Sequence, residues 1–256
     1  MPGPDFHRQK HRIPLRVSRG GECPPGQDMI IAGHVDRIIA KDEPVAEHAR
    51  ERGHRVHSIE AADNPDAGWL TQEHLRDFDA AIDFTEPHAV LANIEACLRA
   101  KKAMVVGTTG WYGEMERVRS TVEQAGTGFV FGANFSYGVN LFFQIVQAAA
   151  PALAHGYSGH ITERHHVHKK DAPSGTAIAL QRMLEQVSGT RAEITSEREG
   201  EVTGIHTLEL DSAGDRIVLT HEAKSRRTFA EGALLAAEWV ADKTGFYDFK
   251  DIFREL

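Results

Sequence analysis

The fifteen residues from Glu163 to Ala177 hold three histidines, two lysines and a short Ser-Gly-Thr turn. Pro173 precedes that turn, and Ala177-Ile178-Ala179-Leu180 continues it with helix-compatible residues. Ser174-Gly175-Thr176 is therefore expected to open a helix, where unsatisfied backbone N–H groups and the positive end of the dipole receive a carboxylate or phosphate. A bare serine cap without a ligand is the simpler alternative. The basic residues just upstream weigh against it. His165 and Lys169 can reach one bound group if the chain turns between them, and a histidine with an ordinary pKa of about 6.5 can donate a proton near neutral pH. A lysine beside it can fix a substrate carboxylate or assist the acid. Glu163, His165, His166 and His168 would also serve as metal ligands. However, adjacent lysines repel a cation and the spacing matches no zinc pattern, so no metal is expected.

Three further segments bear on a ligand crevice. Gly107-Thr108-Thr109-Gly110 follows the apolar run Ala103-Met104-Val105-Val106, and glycines at the carboxyl end of a parallel strand let a cofactor approach the backbone. Phe84-Thr85 closes the run Ala80-Ala81-Ile82-Asp83 on the same expected edge. The stretch 132–140 (Gly-Ala-Asn-Phe-Ser-Tyr-Gly-Val-Asn) joins the two halves of the chain and suits a hinge that also touches a flat ring.

The elements that must carry these residues are read from periodicity. Helices are expected over 45–52 (ended by Gly53), 88–100 and 113–125, alternating with strands over 55–59, 80–84, 103–106 and 128–131. That alternation implies a parallel α/β sheet covered on both faces. The second half offers a long apolar helix over 140–153. Strands follow over 158–163, 201–210 and 215–221, the last two joined by a hairpin turn at 211–214. This predicts a mostly antiparallel sheet with helices on one side. A helix over 229–243 is expected to return to the first sheet. Residues 1–28, rich in Pro, Gly and basic residues, are expected to form a disordered extension. His7, His11, His54 and His57 are expected on solvated surface.

Composition adds exclusions. The 256 residues are 41% hydrophobic and 26% charged, as in ordinary globular proteins, with a formal net charge of −8 and no basic stripe, which argues against a nucleic-acid partner. Cys23 and Cys97 form no CxxC pair, so a reducing cytoplasm is expected. No apolar run approaches the roughly 20 residues of a membrane span.

Taken together, several segments resemble the 4-hydroxy-tetrahydrodipicolinate (dihydrodipicolinate) reductase family. They are Ile82-Asp83-Phe84-Thr85, Val106-Gly107-Thr108-Thr109-Gly110-Trp111, Ala133-Asn134-Phe135-Ser136, Gly138-Val139-Asn140 and above all Glu163 through Ala177. Residues 200–207, 220–226 and 228–230 fit as well, so the likeness runs in order over roughly 53–256. The resemblance implies an enzyme of lysine and diaminopimelate biosynthesis that uses NADH or NADPH to reduce a cyclic dicarboxylate with loss of water. It implies His165 as proton donor, Lys169 as catalytic partner, and His166, Lys169, Gly175 and Thr176 as substrate ligands. It places Phe84, Gly107, Thr109, Ala133 and Phe135 on the nicotinamide side, with Arg226 near the same cleft. It further implies a Rossmann-like nucleotide-binding domain over 29–133, completed by 226–256. An α+β substrate-binding and tetramerisation domain over 134–225, and a homotetramer, follow from the same likeness.

One block departs from the family pattern. The family opens with a strand and a Gly-x-x-Gly-Arg-Met-Gly turn that brings a helix start against the pyrophosphate. Here the corresponding stretch is Gly33-His34-Val35-Asp36-Arg37-Ile38-Ile39, in which only Gly33 and Arg37 fit. Asp36 stands where its charge would repel the pyrophosphate. Glu60, after the strand 55–59, is the candidate for the cofactor ribose. The block is compatible with a shifted reading frame or with a divergence that weakens cofactor binding. The rival reading is therefore a non-catalytic relative, a regulatory or assembly subunit that kept the substrate pocket.

Overall fold

Three short segments, Ala80–Asp83, Ala103–Val106 and Gly128–Phe131, have every residue buried, which is how strands covered on both faces of a parallel sheet must look. A computed structural model describes residues 28–32, 44–59 and 63–256 of the chain. In chain order the first part contains β1 (Asp28–Ala32), α1 (Pro44–Glu51), β2 (Arg55–Ile59), α2 (Gln72–Leu75), β3 (Ala80–Asp83), α3 (Val90–Arg99), β4 (Ala103–Val106), α4 (Met115–Ala125) and β5 (Gly128–Phe131). The second part contains α5 (Tyr137–Ala149), β6 (Ser158–His165), α6 (Gly175–Ser188), β7 (Glu193–Arg198), β8 (Ile205–Asp211), β9 (Arg216–Glu222), α7 (Arg227–Val240), β10 (Gly245–Asp248) and α8 (Phe249–Ile252).

The first sheet has the order β10-β5-β4-β3-β1-β2, with all of its pairs parallel. Its register aligns Ile59, Ala32, Asp83, Val106, Phe131 and Asp248 in one row across the carboxyl edge. The loops carrying Phe84, Gly107 and Ala133 therefore leave the sheet side by side. One face packs on α1 and α7 through Ala49, Ala233, Leu234 and Ala237. The other packs on α3 and α4 through Ile94, Leu98, Val118 and Val122. The helix expected over 229–243 is α7, and it does return to this sheet.

The second sheet has the order β7-β6-β8-β9. The β6–β8 and β8–β9 pairs are antiparallel, whereas β7 pairs with β6 in parallel, so the sheet is mixed. β7 is not legible in the sequence because Glu-Ile-Thr-Ser-Glu-Arg carries a single apolar residue; its register on β6, not a buried face, holds it in place. Side chains on β6 and β8 alternate, with Ile161, Glu163, His165, His206, Leu208 and Leu210 all turned inward. Ile161 lies opposite Leu208, and both belong to a core with Phe142 and Val146 of α5 and Leu180 and Leu184 of α6. One step further along the same face, Glu163 lies opposite His206. The face thus passes from oil to ionisable groups within two residues.

Two other expectations change. The helix read over 140–153 begins at Tyr137, capped by Ser136, and gives way after Ala149 to a 3-10 turn, because Pro151 has no N–H to continue the α ladder. His54 is buried, not solvated, and pairs with Glu238 at 2.8 Å beside the Arg52–Glu238 ion pair, tying the end of α1 to α7. His57 is exposed, as expected, and stacks on Trp69.

Candidate active site

At the carboxyl edge the organising group is Asp83, fully buried at the end of β3. Its Oδ1 accepts from the Thr85 N–H (2.9 Å), the Thr85 hydroxyl (2.8 Å) and the Thr108 hydroxyl (2.8 Å), and its Oδ2 accepts from the Asn93 amide (2.9 Å). Burial pushes its carboxyl above the usual carboxylate range, opposed by those hydrogen bonds. One side chain therefore locks the loop after β3 to the loop after β4 and to α3. The Gly107 N–H also donates to the Asp83 carbonyl (2.8 Å), and the Phe84 ring lies so close over Gly107 that any Cβ there would collide with it. This close approach is what the glycine is for. Phe84 in turn meets Phe135 edge-on, with centroids 5.9 Å apart.

Phe135 itself is 2% exposed, wedged between Phe84 and Phe249. Its ring is core, so the expectation that it touches a flat ligand ring does not hold for the side chain. Thr109 and Ala133 are exposed, and Ala133 with Asn134 lines a cleft of about 650 Å³ that also takes in Asn140 of α5, Ala179 of α6 and Lys250 of α8. A second hollow of about 250 Å³ lies along Ile59, Thr85, His88 and Asn93, beside the carboxyl ends of β2 and β3. Gly33, Arg37 and Glu60 lie outside the described residues.

The ionisable group sits at the end of β6. His165 is 8% exposed, and its Nδ1 bonds Oε2 of Glu163, which is fully buried two residues earlier on the same face. Oε1 of Glu163 accepts from both Arg198 Nη1 (3.1 Å) and Nη2 (3.0 Å) and from the Ser174 N–H (3.3 Å). Burial alone would raise the Glu163 carboxyl, but hydrogen bonds from Arg198, Ser196 and His165 hold it below the usual range. Burial lowers the His165 pKa, and the charges of Lys169 and Arg198 act the same way, while Glu163 raises it. Arg198 also donates to the Lys169 carbonyl (3.4 Å) and the Asp171 carbonyl (2.6 Å), so it shapes the loop that carries Lys169. The Lys169 ammonium pairs with Asp171 at 2.8 Å.

Ser174 caps α6 by accepting from the Ala177 N–H (3.2 Å), as expected. Among the described residues no acceptor meets the N–H groups of Gly175 and Thr176, which leaves two donors at a helix start free for an anion. The Ser174 hydroxyl also bonds His206 Nε2 at 3.0 Å. Burial, then the nearby charge of His165, pushes His206 down to about 4, so it is neutral near pH 7. His166 is half-buried, and burial followed by the charge of Arg226 lowers it; these two candidates do share a neighbourhood. His168 is exposed and pairs loosely with Glu201 at 3.8 Å.

The structure thus brings His165, Lys169 and the Gly175–Thr176 turn together around the end of β6. Arg198 and His206 are not marked in the sequence as site residues, and Glu163 and Ser174 stand out there only as a possible metal ligand and as a helix cap. The alternation of β6 is the signal that could have placed Glu163 beside His165, whereas nothing local marks Arg198, since its strand was not recognised. Glu163, His165 and His206 also offer atoms within 4.8 Å of one another, as a metal set would. The Glu163–His165 bond and the Ser174 bond to His206 already engage atoms of this set, and the Arg198 guanidinium sits on the other oxygen of Glu163, where its positive charge opposes a cation.

The chain matches the family model for the N-terminus of dihydrodipicolinate reductase over residues 45–135 and the model for its C-terminus over residues 138–253. The chain belongs to the dihydrodipicolinate reductase family. As a member of that family it is an oxidoreductase. Among curated relatives, 4-hydroxy-tetrahydrodipicolinate reductase of Christiangramia forsetii is 40% identical over 203 residues, 73% of this chain and 85% of the relative. The enzyme of the same name from Laribacter hongkongensis is 40% identical over 196 residues, 68% of this chain and 72% of the relative. Among solved structures, the dipicolinate-bound dihydrodipicolinate reductase from Paenisporosarcina sp. TG-14 superposes with a TM-score of 0.71 at 21% identity, covering 89% of this chain and 99% of that one, which speaks for a shared fold. The family match begins at residue 45, so the atypical stretch Gly33–Ile39 lies before it.

Proposed function

We propose that the chain reduces 4-hydroxy-tetrahydrodipicolinate to tetrahydrodipicolinate with loss of water, using NADH or NADPH, in lysine and diaminopimelate biosynthesis. The observation that carries this reading is the convergence on the end of β6. There Glu163 bonds both the buried His165 and the Ser174 N–H before α6, and the charge of Lys169 acts on His165, so a proton donor, a cation and two free helix-start N–H groups share one neighbourhood, as a dicarboxylate that must receive a proton requires. Gly175 and Thr176 donate backbone N–H bonds to one substrate carboxylate. Lys169, released from Asp171, meets the other with its positive charge, and His166, which burial and Arg226 hold neutral, donates it a hydrogen bond. His165 delivers a proton at Nε2.

The residues at the carboxyl edge fit a nicotinamide cofactor. Gly107 has no room for a side chain beneath Phe84, and Thr109 and Ala133 are exposed along the row of strand ends. The bound cofactor supplies the hydride. The chain's own work is to hold that edge rigid through Asp83 and to keep water from the reacting atoms. Residues 29–133 with 226–256 form the nucleotide-binding part and 134–225 the substrate part, in a cytoplasmic homotetramer joined through the second sheet. On the face of that sheet turned away from α5 and α6, Val218 of β9 is 51% exposed, and this face is the one offered for that contact.

The charge of Asp36 within Gly33–Ile39 favours the second reading, a non-catalytic relative without cofactor binding. Titration of the purified chain with NADH and with NADPH, followed by heat or nicotinamide fluorescence, separates the two. Saturable binding of either supports the enzyme, and no binding at ~1 mM cofactor, a level worth only about −4 kcal/mol, rejects it.

A further inference from the structure

We infer that Glu163 is a positioning residue for His165: it fixes the imidazole so that Nδ1 faces the carboxylate and Nε2 faces the substrate space. This rests on the reading of His165 as proton donor. An ionised carboxylate only accepts, so the Nδ1 bonded to Glu163 must carry the hydrogen, and Nε2 is left as the atom that gains and gives the catalytic proton. The opposite edge of the ring is kept clear. Gly204, just before β8, has no side chain, and a Cβ there would stand 3.0 Å from Nε2. Glu163 cannot swing away, because Arg198 and the Ser174 N–H hold its other oxygen. Arg198 is therefore the second half of the device: a fork on β7 that aims a carboxylate on β6 at a histidine on β6.

The charge of Glu163 has a second consequence. His165 is faced by Glu163 from β6, Arg198 from β7, neutral His206 from β8, and Lys169 and Asp171 from the loop before α6. Lys169 and Arg198 both oppose a proton on His165, as burial does, and Glu163 is the charge that offsets them. Without Glu163 the donor would be deprotonated at pH values where the reaction needs it charged.

The test is the pH dependence of kcat in Glu163→Gln, Glu163→Asp, Arg198→Met and His165→Gln, with KM for substrate and cofactor measured alongside. A reaction that needs a protonated donor slows as pH rises past the donor's pKa, and an adjacent opposite charge is worth about one unit or more. In Glu163→Gln the falling limb moves to lower pH by about one unit, with kcat roughly tenfold lower on that limb and both KM values within about twofold. In Arg198→Met, which removes an opposing positive charge while the Ser174 N–H still holds Glu163, the limb moves to higher pH. Glu163→Asp keeps the charge, and its limb stays nearer the wild-type position than that of Glu163→Gln. A purely structural Glu163 would lower the amount of active protein and leave the limb in place, and that result overturns the inference. If Glu163→Gln does not fold, a limb that fails to rise in Arg198→Met overturns it instead. If His165→Gln retains wild-type turnover, the proton-donor reading itself fails.

Discussion

His206 makes a pH-dependent contribution to stability that can be worked from its surroundings. It is 5% exposed, its Nε2 bonds the Ser174 hydroxyl, and its pKa falls from the ordinary 6.5 to about 4. A histidine whose folded pKa lies below its unfolded value binds fewer protons when folded. Its contribution is therefore intact above pH 6.5 and is lost as pH falls from there toward 4. Between pH 8 and pH 5, linkage with these two values removes about 2 kcal/mol of unfolding free energy. His206→Gln eliminates the titration and, at pH 8, costs about 1 kcal/mol for the weakened bond to Ser174. Urea unfolding of both proteins at pH 8 and pH 5 should then show a reversal, with the wild type more stable by about 1 kcal/mol at pH 8 and the variant more stable by about 1 kcal/mol at pH 5. Glu163 and the other lowered carboxylates lose their contributions only below the ordinary carboxylate range, so they do not enter this window. His165, His166 and His221 titrate in the same direction but are common to both proteins. An equal gap at the two pH values would refute the assignment of His206 as a buried neutral histidine.

Two glycines give sharper steric tests. Gly107→Ala must push the Phe84 ring off the β4 loop, and the affinity for NADH or NADPH should fall at least tenfold, about 1.4 kcal/mol, by calorimetry; an unchanged Kd would remove this loop from the cofactor site. Gly232 lies in α7, where alanine would ordinarily stabilise the helix by roughly 1 kcal/mol, yet a Cβ there collides with the Phe135 carbonyl oxygen. Gly232→Ala should cost about 3 kcal/mol in urea unfolding, and a stabilised variant would contradict the packing of α7 on the 132–136 segment.

The parts of this protein that announce themselves are those whose periodicity is local. Ala103–Val106 and Gly128–Phe131 are apolar at every position, and the structure places both inside the parallel sheet with those bounds. The Ser174 cap was equally visible, because a capping residue, a proline and a helical run stand in sequence. β7 and β10 were not, since an edge strand with no buried face and a four-residue strand of mixed character are defined by their partners. The site divides the same way. His165 and Lys169 stand out as residue types in a dense motif, while Arg198 reaches Glu163 beside them only through parallel pairing across 35 residues of chain. Phe135 shows the converse: an aromatic beside small residues suggests a ligand contact, and the ring is instead spent on Phe84 and Phe249.

In the proposed reaction His165 gives the substrate its proton while a nicotinamide cofactor gives the hydride. The direct measurement is steady-state oxidation of NADH or NADPH by the purified chain with 4-hydroxy-tetrahydrodipicolinate, for wild type and His165→Gln. Wild type should turn over, and the variant should lose roughly 10²- to 10⁴-fold in kcat with KM little changed, because a proton donor acts in the transition state. Equal kcat in the two proteins, or no oxidation of either cofactor by the wild type, would contradict it.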